Sequence, residues 1–276
     1  MVYIKYPNKK FCRHIEKYWF AKSKTNNNYS TFEYFPDGNT EILFKISKFD
    51  CKLYLFGPSK KRAIIKINSN YSYIGIRFRP GKSPRIEGIS PSELVDTYIE
   101  LPKKIQKINT AIIGQQLLKA PTYSSKQNII ENFLQTLGIN NTNITLNQKV
   151  IECIEASYGL QPVKKIAANL HLSVRQMERI VLKETGLTPK MLARRIRLQK
   201  VLGSLFKGYS DTFADLAYFT GYSDQSHFIK DFKELTGKLP SWFKYIQKNI
   251  QKKENLSHFI PYCLKSIEDN CVFHQL

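Results

Sequence analysis

The sequence is poor in the features that mark several large classes of protein. Its 276 residues hold only five cysteines, at positions 12, 51, 153, 263 and 271. The number is odd and no pair has the two-residue spacing of a zinc knuckle, which argues against a disulfide framework or a structural metal. Reduced thiols are expected. No stretch approaches the ~18 apolar residues of a membrane span, and the N-terminal MVYIKYPNKK lacks the apolar run of a signal peptide. A soluble cytoplasmic protein with no membrane partner is therefore expected. There is no Ser/His/Asp, paired-carboxylate or metal-spaced constellation. Cys12-Arg13-His14 brings a cysteine beside a histidine, but adjacency in sequence does not make a catalytic pair. Neither an enzyme, nor a cofactor, nor a metal is expected.

Acidic residues are also scarce, 22 against 43 Lys and Arg, so the formal net charge is +21. Residues 1–146 carry 23 basic and 10 acidic side chains, and residues 147–250 carry 17 and 9, excesses of +13 and +8. A chain this basic fits a polyanionic partner, to which such surfaces bind through counterion release. A merely soluble basic protein is the alternative that charge alone leaves open. Hydrophobic residues make up 42%, and the length allows two ordinary domains, each with a core.

What the chain does contain is a repeat. Ile166-Ala167 recurs as Leu216-Ala217, and Ser173 as Ser223, both 50 residues on. Thr185-Gly186 recurs as Thr236-Gly237, and Pro189 as Pro240, both 51 on, so one residue was gained between. A period of this size is that of a supersecondary unit used twice. A lead helix over about Asn147–Tyr158 ends at Gly159. In the next helix Val163, Ile166, Ala167 and Leu170 share an apolar face, and the small Ala167 lets the following helix cross closely. Ser173 and Gln176 form a capping box. Met177, Ile180 and Val181 then point inward, leaving Arg175, Gln176, Glu178 and Arg179 outside. In the second copy Ser223 or Asp224 is the cap, Phe228 and Phe232 point inward, and Gln225, Ser226, Ile229 and Lys230 are exposed. Arg suits guanine, Glu cytosine, Gln adenine, and Ile a thymine methyl. A single charged helix face would ordinarily be no more than a solvated one; the duplication decides for two helix-turn-helix motifs.

Thr188-Pro189 opens a long helix to about Phe206. Its Leu192, Ile196, Val201 and Leu205 face inward, and Arg194, Arg195, Arg197 and Lys200 form a polar side. It spans close to ~30 Å at ~1.5 Å per residue, near the ~34 Å between successive major-groove faces. Arg194 and Lys244 are candidate phosphate contacts.

Residues 1–100 read mainly as strands. Phe32–Phe35, Glu41–Ile46, Leu53–Phe56, Ala63–Ile67 and Tyr73–Phe78 are short, aromatic and β-branched, and bounded by turn formers such as Pro36-Asp37-Gly38-Asn39. Ile74, Ile76 and Phe78 alternate with Gly75, Arg77 and Arg79. Arg77 and Arg79 on one strand face make a candidate anionic-ligand site, with a solvated face as the plainer reading. Ser90-Pro91-Ser92-Glu93 reads as a helix start. Ile105, Ile108 and Ile112, then Ile129, Phe133 and Leu137, fall at helical spacing, which fits two helices joined through Ala120-Pro121. Their stripes close the N-terminal core or form a dimer seam. The expected class is α+β: a β-rich N-terminal domain with trailing helices (1–137), an Asn-rich linker (138–146), an all-α domain of two helix-turn-helix motifs joined by a long helix (147–250), and a tail (251–276) that carries enough apolar residues to dock.

The motifs of residues 147–246 resemble the DNA-binding domain of the AraC/XylS family of bacterial transcription regulators. The second motif carries most of the resemblance: Leu216-Ala217, Gly221 to Ser226 (GYSDQS), Phe228, Phe232-Lys233, Thr236-Gly237 and Pro240. The first carries Ile166-Ala167, Ser173, Arg179, Glu184-Thr185-Gly186, Pro189 and Arg197-Leu198. Val201, Val181 and Lys230 depart from the family's usual Ala, Phe and Arg. Phe35-Pro36-Asp37-Gly38 and Gly75–Gly81 (GIRFRPG) resemble a domain found ahead of this module in uncharacterised members. The resemblance implies base contact by Arg175, Glu178, Arg179, Gln225, Ser226 and Lys230, double-stranded DNA as partner, and an N-terminal domain that senses a small molecule or dimerises. RNA polymerase, an unidentified effector and a second copy of the chain are further candidate partners. Activation is the expected sense, although the residues themselves fit activation and repression alike. Two other readings stand beside it: a basic module for an acidic protein partner, and an enzyme fused to a DNA-binding module.

Overall fold

A computed structural model describes residues 2–22, 29–86, 88–105, 108–139, 145–207 and 212–250. Strands β1 (Val2–Lys5), β2 (Ile15–Lys22), β3 (Tyr29–Tyr34), β4 (Thr40–Ile46), β5 (Cys51–Phe56), β6 (Ala63–Asn68) and β7 (Ser72–Phe78) precede a 3-10 turn at Pro91–Leu94 and strand β8 (Tyr98–Leu101). Six of them form an antiparallel sheet in the order β1-β2-β7-β4-β5-β8. The hairpin β3–β6 pairs separately, Tyr34 opposite Ala63.

The central strand β7 shows why the sheet is buried on both sides. Ile74, Ile76 and Phe78 join Ile42, Phe44, Leu53 and Leu55 in one core. On the opposite face Tyr73 packs with Trp19, Leu43 and Ile67 of β6. Gly75 stands opposite Trp19 in the register, and a Cβ there would lie 1.8 Å from the indole Nε1. Only a missing side chain lets that tryptophan lie flat on the strand.

Helices α1 (Thr110–Lys119) and α2 (Tyr123–Thr136) close the first core with Ile113, Leu117, Ile130, Phe133 and Leu134. The helical reading of Ile105 and Ile108 is corrected: they lie in a short hairpin of β9 (Lys104–Ile105) and β10 (Ile108–Asn109). The helix starts later because the Asn109 side chain caps it, accepting from the amides of Ala111 and Ile112. Ile112 is consequently exposed. The Asn-rich run falls largely outside the described residues, as does the tail from Gln251 on.

The helical unit comprises α3 (Leu146–Ala156), α4 (Val163–Asn169), α5 (Val174–Thr185), α6 (Pro189–Lys207), α7 (Phe213–Phe219), α8 (Gln225–Thr236) and α9 (Pro240–Ile250). It has two cores that share α6. Leu192 and Ala193 belong to the first, with Ile151, Ile166, Ala167, Met177 and Val181. Leu198, Val201, Leu202 and Leu205 belong to the second, with Leu216, Phe228, Phe232 and Phe243. Ala167 and Ala217 are both 1% exposed at the helix crossings.

The sheet unit and the helical unit are in contact. Arg13 and Lys82 both pair with Glu152 of α3, at 3.0 and 2.7 Å, and Arg85 reaches Glu184 of α5 at 3.5 Å. Arg195 of α6 is 3% exposed and donates to the carbonyls of Ser59 and Lys60. It therefore leaves the polar side to which the sequence pattern assigned it.

Candidate nucleic-acid interface

Each copy of the repeat is built by the same local chemistry. Helices α4 and α7 are seven residues each, and each is followed by a left-handed residue, His171 at φ +54 and Gly221 at φ +77. The chain then turns back by one hydrogen bond of equal length in both copies, Leu172 N to Ala167 O and Tyr222 N to Ala217 O, 2.9 Å. In the first copy the Ser173 hydroxyl accepts from Gln176 N, and the Gln176 side chain accepts from Ser173 N. In the second, Asp224 caps α8 by accepting from His227 N at 2.7 Å. That bond, with one from the Ser223 hydroxyl, holds the exposed Asp224 carboxyl below the usual range. Of the two candidate caps in the second copy, Asp224 is thus the one in place.

This fixes the inserted residue. Helices α5 and α8 are both 12 residues long and both end on a left-handed glycine, Gly186 and Gly237. Counted from the caps, they correspond at an offset of 51, so Ser223 is the extra residue. Arg175 then matches Ser226, Glu178 matches Ile229 and Arg179 matches Lys230. All of these are exposed except Ile229, which is half-buried. Gln225 matches Val174, and Gln176 matches His227, a residue absent from the expected set. Both are exposed on the first turn. Gln176 uses its carbonyl oxygen in the cap, whereas the His227 ring meets the Ser223 hydroxyl at 3.1 Å. Aligning the copies on Thr-Gly rather than on Ser would have pointed to His227.

Several cations on and near α6 have partners within the protein. Arg194, expected as a phosphate contact, has its guanidinium taken up by Asp231, and by Glu234 at 2.6 and 3.0 Å. Asp231 also accepts from the Tyr222 hydroxyl at 2.8 Å, and Arg197 lies over the Tyr222 ring. This cluster joins the long helix α6 to α8. Lys200 caps the end of α7 through Phe219 O, 3.1 Å away. Lys244 is half-buried, its ammonium 4.7 Å from the Phe213 ring at the start of α7.

The arginine pair proposed as an anion site is also corrected. Arg77 is 1% exposed and meets Asp37, Glu16 at 3.2 Å and Glu41 at 3.6 Å, all from its own domain. Burial works to raise the Glu16 carboxyl, and the charges of Arg77, Lys17 and Arg79 overcome it and bring it to about 2. Arg79 donates to Cys12 O and faces Glu155 of α3 at 3.9 Å. The pair serves the interior and the junction between units. Among the described residues no group of three or more His, Cys, Asp or Glu could hold a metal, and no helix is long and apolar enough to cross a membrane.

Parts of the chain are similar to known proteins. Residues 166–244 match the family described as "Helix-turn-helix domain", and residues 5–100 match "Domain of unknown function (DUF6597)". The HTH-type transcriptional activator RhaS of Klebsiella pneumoniae (strain 342) is 33% identical over 70 residues, 25% of this chain and 25% of the relative. The match thus spans about a quarter of that protein's length. Among solved structures, the C-terminal domain of AraT, a response regulator from Geobacillus stearothermophilus, aligns at 19% identity over 38% of this chain and 88% of its own, with a TM-score of 0.35. ToxT from Vibrio cholerae aligns at 15% identity over 89% of this chain and 97% of its own, with a TM-score of 0.41. Residues 166–244 are a helix-turn-helix domain of the AraC type, carried behind a domain of unknown function.

Proposed function

We propose that the chain is a sequence-specific transcription regulator that lays α5 and α8 in successive major grooves on one side of a DNA duplex. The observation that carries this is the exposure, on the first two turns of two 12-residue helices each capped by a side chain, of groups suited to base edges. Arg175, Glu178 and Arg179 would read one patch, and Gln225, Ser226, Ile229 and Lys230 the other. The 19-residue α6 spans ~28 Å at ~1.5 Å per residue, which suits two patches about one helical turn apart. Gln176, committed to its cap, contributes orientation as well as any contact of its side-chain amide. Lys244, near the start of α7, would add a contact to the DNA backbone. The excess of basic charge on both units adds a salt-dependent, sequence-independent attraction.

Selection from a random-duplex library with the purified full chain tests this. The expected result is one motif with two informative patches roughly 10 base pairs apart. Recovery of sequences without a motif would refute it and favour the acidic-partner reading.

A further inference from the structure

The turn between β3 and β4 does not end within its own domain. Phe35 is fully buried, and it is buried in the core of the second helix-turn-helix half. Its ring lies 5.4 Å from Phe243 of α9. From there the aromatic contacts run on to Phe232 at 5.2 Å, Phe228 at 5.8 Å and Tyr222 at 5.4 Å, which brings them to the turn that precedes α8. Three residues later the same loop touches the first half. Gly38 has φ +86, and a Cβ there would come within 2.9 Å of Leu192 Cδ1 and 3.3 Å of Leu187 Cδ1, both in the first-half core. Between these points Gln199 of α6 donates to Pro36 O at 3.3 Å.

The loop is also held from behind. Asp37 meets Arg77 and accepts from Tyr34 at 2.9 Å and from Asn39 N at 2.8 Å. Asn39 in turn binds Glu16. A segment pinned at its base and seated in both cores can fix their relative setting. The recognition turns of α5 and α8 remain exposed in this arrangement, so the N-terminal unit does not act by covering them.

We propose that the Phe35–Gly38 loop is a splint: it seats in both helix-turn-helix halves and sets the angle and spacing at which α5 and α8 are presented. Changes in the N-terminal domain then reach DNA through geometry rather than through occlusion. The part that concerns DNA rests on the function proposed above; the geometric part does not.

The test uses the full chain and Phe35→Ala, with Phe35→Leu as a variant that keeps the core filled should the alanine variant fail to fold. Binding is measured to the selected duplex and to duplexes with one base pair added or removed between the patches. The splint predicts that Phe35→Ala weakens binding to the native spacing about tenfold and relaxes the preference for that spacing several-fold, with Phe35→Leu between. An unchanged spacing preference in the folded variants overturns it. Independently of DNA, paired spin labels on Leu182 of α5 and Lys233 of α8, both exposed, report the distance between the two helices. One narrow distribution in the parent that broadens in Phe35→Ala supports the splint, and the same distribution in both refutes it. If the parent shows no preferred duplex, the DNA reading has failed while the label distances still decide the splint.

Discussion

Replacing Asp231 by alanine should be among the most damaging changes to the second half that leave its apolar core intact. Asp231 is 8% exposed and joins three elements: Arg194 of α6, its own helix α8 and the Tyr222 hydroxyl in the turn. A hydrogen bond to a charged group contributes about 1.5–3 kcal/mol, and a buried hydroxyl left without an acceptor costs about 1–3 kcal/mol. Arg194 keeps Glu234, which is largely exposed, so the loss on that side falls at the low end. The expected total is about 2–4 kcal/mol, read as a lowered urea midpoint at unchanged slope. Asp231→Asn keeps an acceptor for Tyr222 and should lose roughly half as much. A double-mutant cycle of Arg194→Ala with Asp231→Ala should give a coupling of about 1–2 kcal/mol. A loss below about 0.5 kcal/mol for Asp231→Ala would refute the claim that this cluster holds α6 and α8 together.

Other outcomes follow from single sites. Burial raises the Glu155 carboxyl to about 7 against the pull of Arg79 and Lys82. The folded chain therefore keeps a proton that the unfolded chain releases near pH 4.5, and stability falls as pH rises from about 4.5 through about 7. Glu155→Gln should remove that fall and gain roughly 1–3 kcal/mol at pH 8 while matching the parent near pH 4.5. Urea melts at the two pH values decide it, and equal slopes in both proteins would contradict it. Glu16 has the opposite sign: its stabilisation is fully present above about pH 4.5 and is lost as pH falls toward 2, so acid unfolding of Glu16→Gln should be shallower. Ser173→Ala removes one arm of the capping box and should cost about 1 kcal/mol in thermal melts, with Ser173→Asp largely restoring it.

What could be read from the sequence was what is local. Caps, turn residues and the 3.6-residue spacing of Ile166, Ala167, Met177 and Val181 depend on neighbours within a few positions, and they locate the two motifs. The choice of second cap, Ser223 or Asp224, stays open in the sequence because both residues can cap a helix and stand side by side. Partners far along the chain were not legible. Arg77 alternates with apolar residues as a solvated arginine would, and only its pairing with Glu16, Asp37 and Glu41 shows it as an interior ion. Arg195 likewise looked polar by its neighbours, while two of its acceptors lie 135 and 136 residues away. The hairpin at Ile105 and Ile108 mimicked helical spacing because two isoleucines three apart also suit a tight strand pair. The destination of Phe35 could not be read at all, since a buried phenylalanine before a Pro-Asp-Gly turn is equally at home in its own sheet.

The central claim is that α5 and α8 each read a separate patch of one DNA site. The most direct measurement is base preference at every position of the selected site for the parent, Arg179→Ala and Lys230→Ala. Arg179→Ala should cost about 1–3 kcal/mol and relax preference in one patch only, and Lys230→Ala should act in the other patch, one helical turn away. Uniform losses on all sequences, or both variants relaxing the same patch, would contradict the account.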